Sequence, residues 1–187
     1  MQDIEKLQHL YRLKEINRTG TVEGRKESVA EHTYSSLMLA EYFFPKIEPR
    51  LDELKALRLI LFHDVVEIEA GDIFFLDEES LREQQQKERE AFERLKTLFP
   101  ECISRHYKLL WDEFEKGESR EARFALAIDK LDPMIQALSA KKDWSHGITE
   151  KWLREKKEHY MAHFSSIHRF FNELIEYAKK EGFLQES

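Results

Sequence analysis

The chain has 187 residues, of which 41% are hydrophobic and 36% charged. That length suits one domain with a core of its own, and so much charge excludes a membrane-embedded protein. Its 30 basic and 37 acidic residues leave a net −7, which argues against a nucleic-acid polymer as partner, because such binding needs a positive surface that displaces counterions. The six Gly and four Pro are too few for the turns of an all-β protein. Cys102 stands alone, which excludes a disulfide framework and a cysteine-rich zinc site and points to a reducing, cytoplasmic setting.

The opening stretch MQDIEKLQHLYRLKEI carries a charge every few residues and does not read as a signal peptide. Ile4, Leu7, Leu10, Tyr11 and Leu13 fall near helical spacing and predict a short amphipathic helix over 3–16. Residues 17–27, NRTGTVEGRKE, hold two glycines and little apolar content and read as a loop. Ser28 followed by Glu31 is a capping box, so a helix should run from there to about Phe44, stopped by Pro45. The next helix is expected from near Asp52 to Gly71, with Leu54, Leu57, Leu61 and Val65 on one face.

Residues 78–98 predict a mostly exposed helix with an apolar stripe of Leu81, Phe92, Leu95 and Leu98. Another should cover 101–116 and end before Gly117. Ser119 can cap a helix containing Phe124, Leu126, Ile128, Leu131 and Ile135. Thr149 can cap the last, which carries Trp152, Leu153, Tyr160, Phe164, Ile167, Phe171 and Leu174 and ends near Gly182. Apolar runs such as Leu59 to Phe62 are far short of a membrane span. No stretch alternates with period two. The expected fold class is all-α, one helical bundle over 1–187 with its core at about 4–150 and a C-terminal helix at about 149–182.

His32, the pair His63-Asp64, and Asp129 form the strongest chemical constellation. Each alone reads as a surface or capping residue. Their context differs: His63-Asp64 follows the apolar run LILF and Asp129 follows FALAI, where polar groups are costly unless paired or metal-bound. Two imidazoles and two carboxylates suit a divalent ion of borderline softness, such as Mn, Fe, Co, Ni or Zn. Neighbouring residues on a helix stand about 100° apart, so His63 and Asp64 can reach one ion from two directions. Pro133 lacks the N–H that would bond the Asp129 carbonyl, and it reads either as a kink beside the site or as a helix end.

Glu67 is four residues after His63 and is a candidate proton acceptor or donor. Asp72 follows Gly71 and can serve as a sugar contact or merely as a turn residue. Arg18 and Arg25 are candidate phosphate clamps, because guanidinium pairs with phosphate oxygens bidentately; for Arg25 the solvated surface is the alternative. His159 and His163, spaced i, i+4, offer a competing zinc pair. The zinc-protease glutamate is missing there, since Tyr160 follows the first histidine.

The phrases ESVAEH, FHDVVE, GDI and AIDKLDP, in that order, resemble the HD-domain metal-dependent phosphohydrolases. The stretch LYRLKEINRTGTVEGRKESVAEHTYSSLMLA, then KEREAFERL, GESREARFALAIDKLDPMIQAL and WSHGIT are similar to the 5′-deoxynucleotidase branch, over roughly residues 4–150. The resemblance implies a helical bundle with one divalent ion on His32, His63, Asp64 and Asp129, Mg being a further possibility. It implies that Glu67 assists hydrolysis, that Asp72 meets the nucleotide sugar and that Arg18 engages the 5′-phosphate. The implied reaction converts a deoxynucleoside 5′-monophosphate and water to deoxynucleoside and phosphate, in a homodimer. Some bacterial members carry tryptophan directly after the position of Arg18; here it is Thr19, so exclusion of ribose is not carried over. Two other readings compete. One is a phosphodiesterase or other nucleotide phosphohydrolase of the same superfamily. The other is a non-catalytic helical binding protein with a relic metal site.

Overall fold

The computed structural model describes residues 2–72, 78–144 and 148–184. Ile73 of GDI, the Leu81 side chain and Ser145–Gly147 of WSHGIT lie outside the described residues. The described chain is predominantly helical, with one small antiparallel hairpin. In chain order it runs α1 (Gln2–Leu10), a 3-10 turn (Tyr11–Lys14), β1 (Asn17–Val22), β2 (Arg25–Ser28), α2 (Val29–Phe43) and α3 (Glu53–Phe62). It continues through α4 (Glu67–Ala70), α5 (Glu78–Leu98), α6 (Glu101–Lys116) and α7 (Arg120–Gln136). The last segment holds α8 (Glu150–Leu153), α9 (His159–Met161) and α10 (Ser165–Lys180). Among the described residues no helix is long and apolar enough to cross a membrane.

The expected caps form. The Glu31 amide donates to Ser28 Oγ at 3.3 Å, and the Ser28 amide donates to Glu31 Oε2 at 2.9 Å. Ser119 caps α7 and Thr149 caps α8 as expected, and Asp52 caps α3 as well, each accepting from the amide three residues on. Gly117 ends α6 at φ 59°, a left-handed position where a side chain would be strained.

α7 is the central helix. Ala122, Phe124, Ala125, Ala127, Ile128 and Leu131 are all fully buried, so helices pack around most of its circumference. The main apolar cluster joins it to α2, α3 and α10 through residues such as Phe43, Leu59, Ile60, Phe171 and Ile175. A second cluster, with Phe92, Leu95, Phe99, Tyr107 and Trp111, joins α5 and α6 beside Val65, Val66 and Ile68.

Four expectations are corrected. The 17–27 loop is a hairpin whose turn is Glu23-Gly24, with φ 46° and 85°. Two positive φ values in a two-residue turn match the right-handed twist of the flanking strands. The expected helix over 52–71 breaks after Phe62: Val65, Glu67, Ile68 and Glu69 donate to carbonyls three residues back rather than four. α3 also buries a different face: Ala56, Leu59 and Ile60 point inward, whereas Leu54 and Leu61 are exposed. The sequence ELKALRLILF is apolar on both faces, so period alone could not choose between them.

The single C-terminal helix is likewise interrupted, by a wider turn over Arg154–Glu158 and by a break before α10. At that break Phe164 adopts φ −136° and ψ 111° and sets its buried ring edge-on to Phe124, 5.7 Å between centroids. That apolar contact, with no proline or glycine nearby, accounts for the interruption.

Candidate metal centre

α2 carries His32, the turn between α3 and α4 carries His63 and Asp64, and α7 carries Asp129. One ligand atom from each of these four lies within 4.8 Å of the others. His32 Nε2 is 3.1 Å from Asp129 Oδ1 and 3.6 Å from Asp64 Oδ2. His63 Nε2 is 3.1 Å from Asp64 Oδ2 and 3.5 Å from Asp129 Oδ1. The 3-10 turns, rather than a continuous helix, bring His63 and Asp64 to the same point.

The outward nitrogens of the imidazoles are already used. His63 Nδ1 donates to the Ile60 carbonyl at 2.7 Å, and His32 Nδ1 lies 2.8 Å from Asp132 Oδ2. A carbonyl only accepts, so His63 Nδ1 carries a proton and Nε2 is left to face the carboxylates. His63 Nε2 is buried with no hydrogen-bond partner. Two imidazole nitrogens and two carboxylates converging on a buried point require positive charge, and this donor set fits a divalent ion. Without one, protons fill the role. Burial opposes charge on His63 and His32, as does Arg18 for His32, yet the facing aspartates raise both pKa values.

Burial pushes the aspartates up, but their cations prevail. His63 and Arg18 hold Asp64 down at about 2. Lys130, His32 and His63 hold Asp129 well below the carboxylate range, with Lys130 Nζ 2.7 Å from Asp129 Oδ2. Lys157 Nζ donates to the Lys130 carbonyl at 2.8 Å, and burial, then Lys130, brings its pKa down to about 8. Pro133 lies inside α7, one turn beyond Asp129, and α7 continues to Gln136.

Arg18 reaches in from β1, its Nη1 donating to Asp64 Oδ2 at 3.2 Å. Burial opposes its charge, but Asp64, Asp72, Glu67 and Asp129 together raise its pKa above the ordinary arginine value. Glu67 is 7% exposed and its Oε2 has no hydrogen-bond partner. Burial first, then Asp64 and Asp72, push its carboxyl well up. Asp72, half-buried after Gly71 turns the chain at φ 76°, is raised by burial and by Asp64, with Arg18 and His32 opposing.

Arg25 is elsewhere: exposed, with Nη1 donating to Glu31 Oε2 at 2.8 Å and Nη2 paired with Oε1. His159 and His163 are both exposed, on either side of the helix end at Met161, and so share no helical face. Thr19 is exposed next to Arg18. Sequence reasoning missed Asp132, Lys130 and Glu27. For Asp132 the signal was present: it lies three residues after Asp129, on one face of α7.

A family model described as HD domain matches residues 10–168. The chain is 34% identical to human 5′-deoxynucleotidase HDDC2 over 128 residues, 67% of this chain and 61% of that protein. It is 30% identical to the 5′-deoxynucleotidase hdd1 of Schizosaccharomyces pombe over 134 residues, 68% of this chain and 66% of that one. The chain thus aligns with less than two thirds of the length of these relatives. Among solved structures it is similar to a predicted metal-dependent phosphohydrolase from Magnetospirillum magnetotacticum MS-1, with TM-score 0.86, 28% identity and coverage of 99% and 95% of the two chains. A Listeria innocua HD-domain phosphohydrolase shares the fold at TM-score 0.61 and 21% identity, covering 94% of this chain and 84% of that one.

Proposed function

The chain belongs to the HD domain family, and from that premise we propose that it is a metal-dependent phosphomonoesterase. Its substrates are deoxynucleoside 5′-monophosphates and its products deoxynucleoside and inorganic phosphate. The observation that carries this reading is the convergence of His32, His63, Asp64 and Asp129, with the Arg18 guanidinium donating to Asp64. The names of the relatives, 5′-deoxynucleotidases, support the substrate class.

His32, His63, Asp64 and Asp129 hold one divalent ion, of which Mn and Co are the first to try, then Fe, Ni, Zn and Mg. When bound, that ion supplies Lewis acidity toward the phosphoryl group and toward water. Arg18, whose Nη1 donates to Asp64, neutralises the charge on the non-bridging phosphoryl oxygens. Glu67, buried beside Asp64, exchanges the protons of the reaction: its carboxyl gives one to the departing 5′-oxygen and its carboxylate takes one from the attacking water. Asp72, held near Arg18, accepts from a sugar hydroxyl. The chain acts as one HD domain, with its core at about 4–150 and the C-terminal helices packed against it. It works as a cytoplasmic homodimer without nucleic-acid or membrane partner.

Phosphate release from deoxy- and ribonucleoside monophosphates, assayed with Mn, Co and Mg, tests this. Activity on dAMP above dATP and above a cyclic dinucleotide is expected; the reverse order makes it another nucleotide phosphohydrolase. Glu67→Ala should lose nearly all turnover with metal still bound, and retained turnover removes its assigned role. Full metal content with no hydrolysis of any nucleotide would make the chain a binding protein. Light scattering giving a monomer would refute the dimer.

A further inference from the structure

β1 and β2 pair at Asn17 with Ser28, and again at Thr21 with Lys26. Between those pairs β1 has three residues, Arg18 to Gly20, and β2 has one, Glu27. Such a bulge bends the strand and re-aims its side chains. Here it sets Arg18 and Gly20 over Glu27. Glu27 is a charged residue only 3% exposed, and its Oε2 lies 3.6 Å from Arg18 Nε. A Cβ at Gly20 would meet that same oxygen at 3.3 Å, so the glycine leaves the carboxylate its place. Among the described residues the carboxylates within 4 Å of the guanidinium are Glu27, on the Nε edge, and Asp64, on the Nη edge.

Those two partners have different fates when the site fills. Asp64 Oδ2 is also the atom facing both imidazoles, so a cation there competes with Arg18 for it. Asp129, fixed through Oδ2 by Lys130, offers its other oxygen to the same point. A cation on that oxygen would draw on the acceptor that Arg18 Nη1 uses, whereas Glu27 on the Nε edge is engaged with no ligand atom.

We propose that Glu27 is the positioning residue of the phosphate clamp: it holds Arg18 by Nε so that the two Nη atoms face a phosphate monoester. The proposal rests on Arg18 being that clamp. It assigns a role to a buried acid that neither ligates the ion nor handles a proton, and to the bulge that creates the pairing.

Calorimetric binding of inorganic phosphate to Mn-loaded protein tests it, with metal content, melting temperature, KM and kcat measured alongside. Arg18→Ala should weaken phosphate binding about tenfold or more, the scale of one lost charged contact. Glu27→Ala should approach that loss, and the isosteric Glu27→Gln should lose less. In both Glu27 variants KM should rise more than kcat falls, with one metal per chain retained.

The double variant Arg18→Ala/Glu27→Ala should bind phosphate no more weakly than Arg18→Ala alone, because a positioning residue acts only through the group it positions. If Arg18→Ala weakens phosphate and neither Glu27 variant does, the proposal is overturned while the clamp stands. The same holds if the two losses multiply in the double variant, which would make Glu27 an independent structural element. If Arg18→Ala binds phosphate like the parent, the clamp itself is wrong and the proposal falls with it. Should Glu27→Ala melt too early to assay, Glu27→Gln alone and combined with Arg18→Ala gives the same comparison.

Discussion

His32 and Asp129 stand on α2 and α7, helices of the core, His63 directly follows α3, and His32 is fully buried. Arg18 stands on a two-stranded hairpin with few buried apolar side chains of its own. What pins that hairpin is polar: the Thr21 amide and hydroxyl donate to Asp143 at 2.9 and 2.7 Å, and Gln136 Nε2 donates to the Thr21 carbonyl at 2.8 Å. The ligand cradle is thus fixed by packing, the hairpin by a handful of hydrogen bonds. An isolated hairpin is at best marginally stable in water, so these bonds set where Arg18 points. The difference teaches that two kinds of damage should separate. Injury to the cradle costs metal; injury to the hairpin costs substrate and leaves metal in place.

The sharpest way to break that division is at the cradle. His63→Ala removes the unpartnered Nε2 and should strip the metal, with activity falling by about 10³-fold or more, since the ion is worth several kcal/mol to the transition state. Elemental analysis at unchanged stoichiometry would show that the cluster is not the ligand set. Next in size is Asp132→Asn. Asp132 orients His32 through Nδ1, and the loss of such an outer carboxylate lowers metal affinity by roughly 10–100-fold. A chelator titration that leaves affinity unchanged would break the assignment of Asp132 to the cradle.

At the hairpin, Asp143→Ala removes both bonds to Thr21, each worth about 1 kcal/mol. KM should rise by about tenfold with metal content intact. Loss of metal in that variant would mean that the two regions are one cooperative unit after all.

The same contrast decided what could be read from the sequence. In the cradle, polar residues interrupt apolar runs, LILF before His63 and FALAI before Asp129, and stand out because burial without a partner is expensive. In the hairpin the burial does alternate: Asn17 and Thr19 face outward, Arg18 and Gly20 inward. That period is invisible in hydrophobicity because the inward residues are an arginine and a glycine, lining a site rather than a core. Glu23-Gly24 likewise lacks the Asn-Gly or Asp-Gly sign of such a turn. The breaks after Phe62 and before Ser165 were hidden for another reason. Both are set by tertiary contacts, the ligand turn and the buried Phe164 ring, and neither carries a proline or glycine.

Glu31 is the hinge between the two regions and offers the smallest test. It closes the capping box that starts α2, one residue before His32, and it pairs with Arg25 of β2. Those bonds, the one to Arg25 first and then those to Ser28, hold its carboxyl down at about 2. A folded pKa below the ordinary carboxylate value stabilises the native state above about pH 4.5, and the contribution fades as pH falls toward 2. Glu31→Gln removes the charge while its amide oxygen can still accept from the Ser28 amide, and should therefore cost less than about 1 kcal/mol at neutral pH, seen as a degree or two in melting temperature. Because the side chain is 40% exposed, solvent screens the pairing with Arg25 and keeps the cost small. The gap between variant and parent should close on acidification from pH 5 to pH 2. A gap independent of pH would place the whole effect in the hydrogen bonds that an amide makes less well rather than in charge, and the joint between hairpin and cradle would then not be electrostatic.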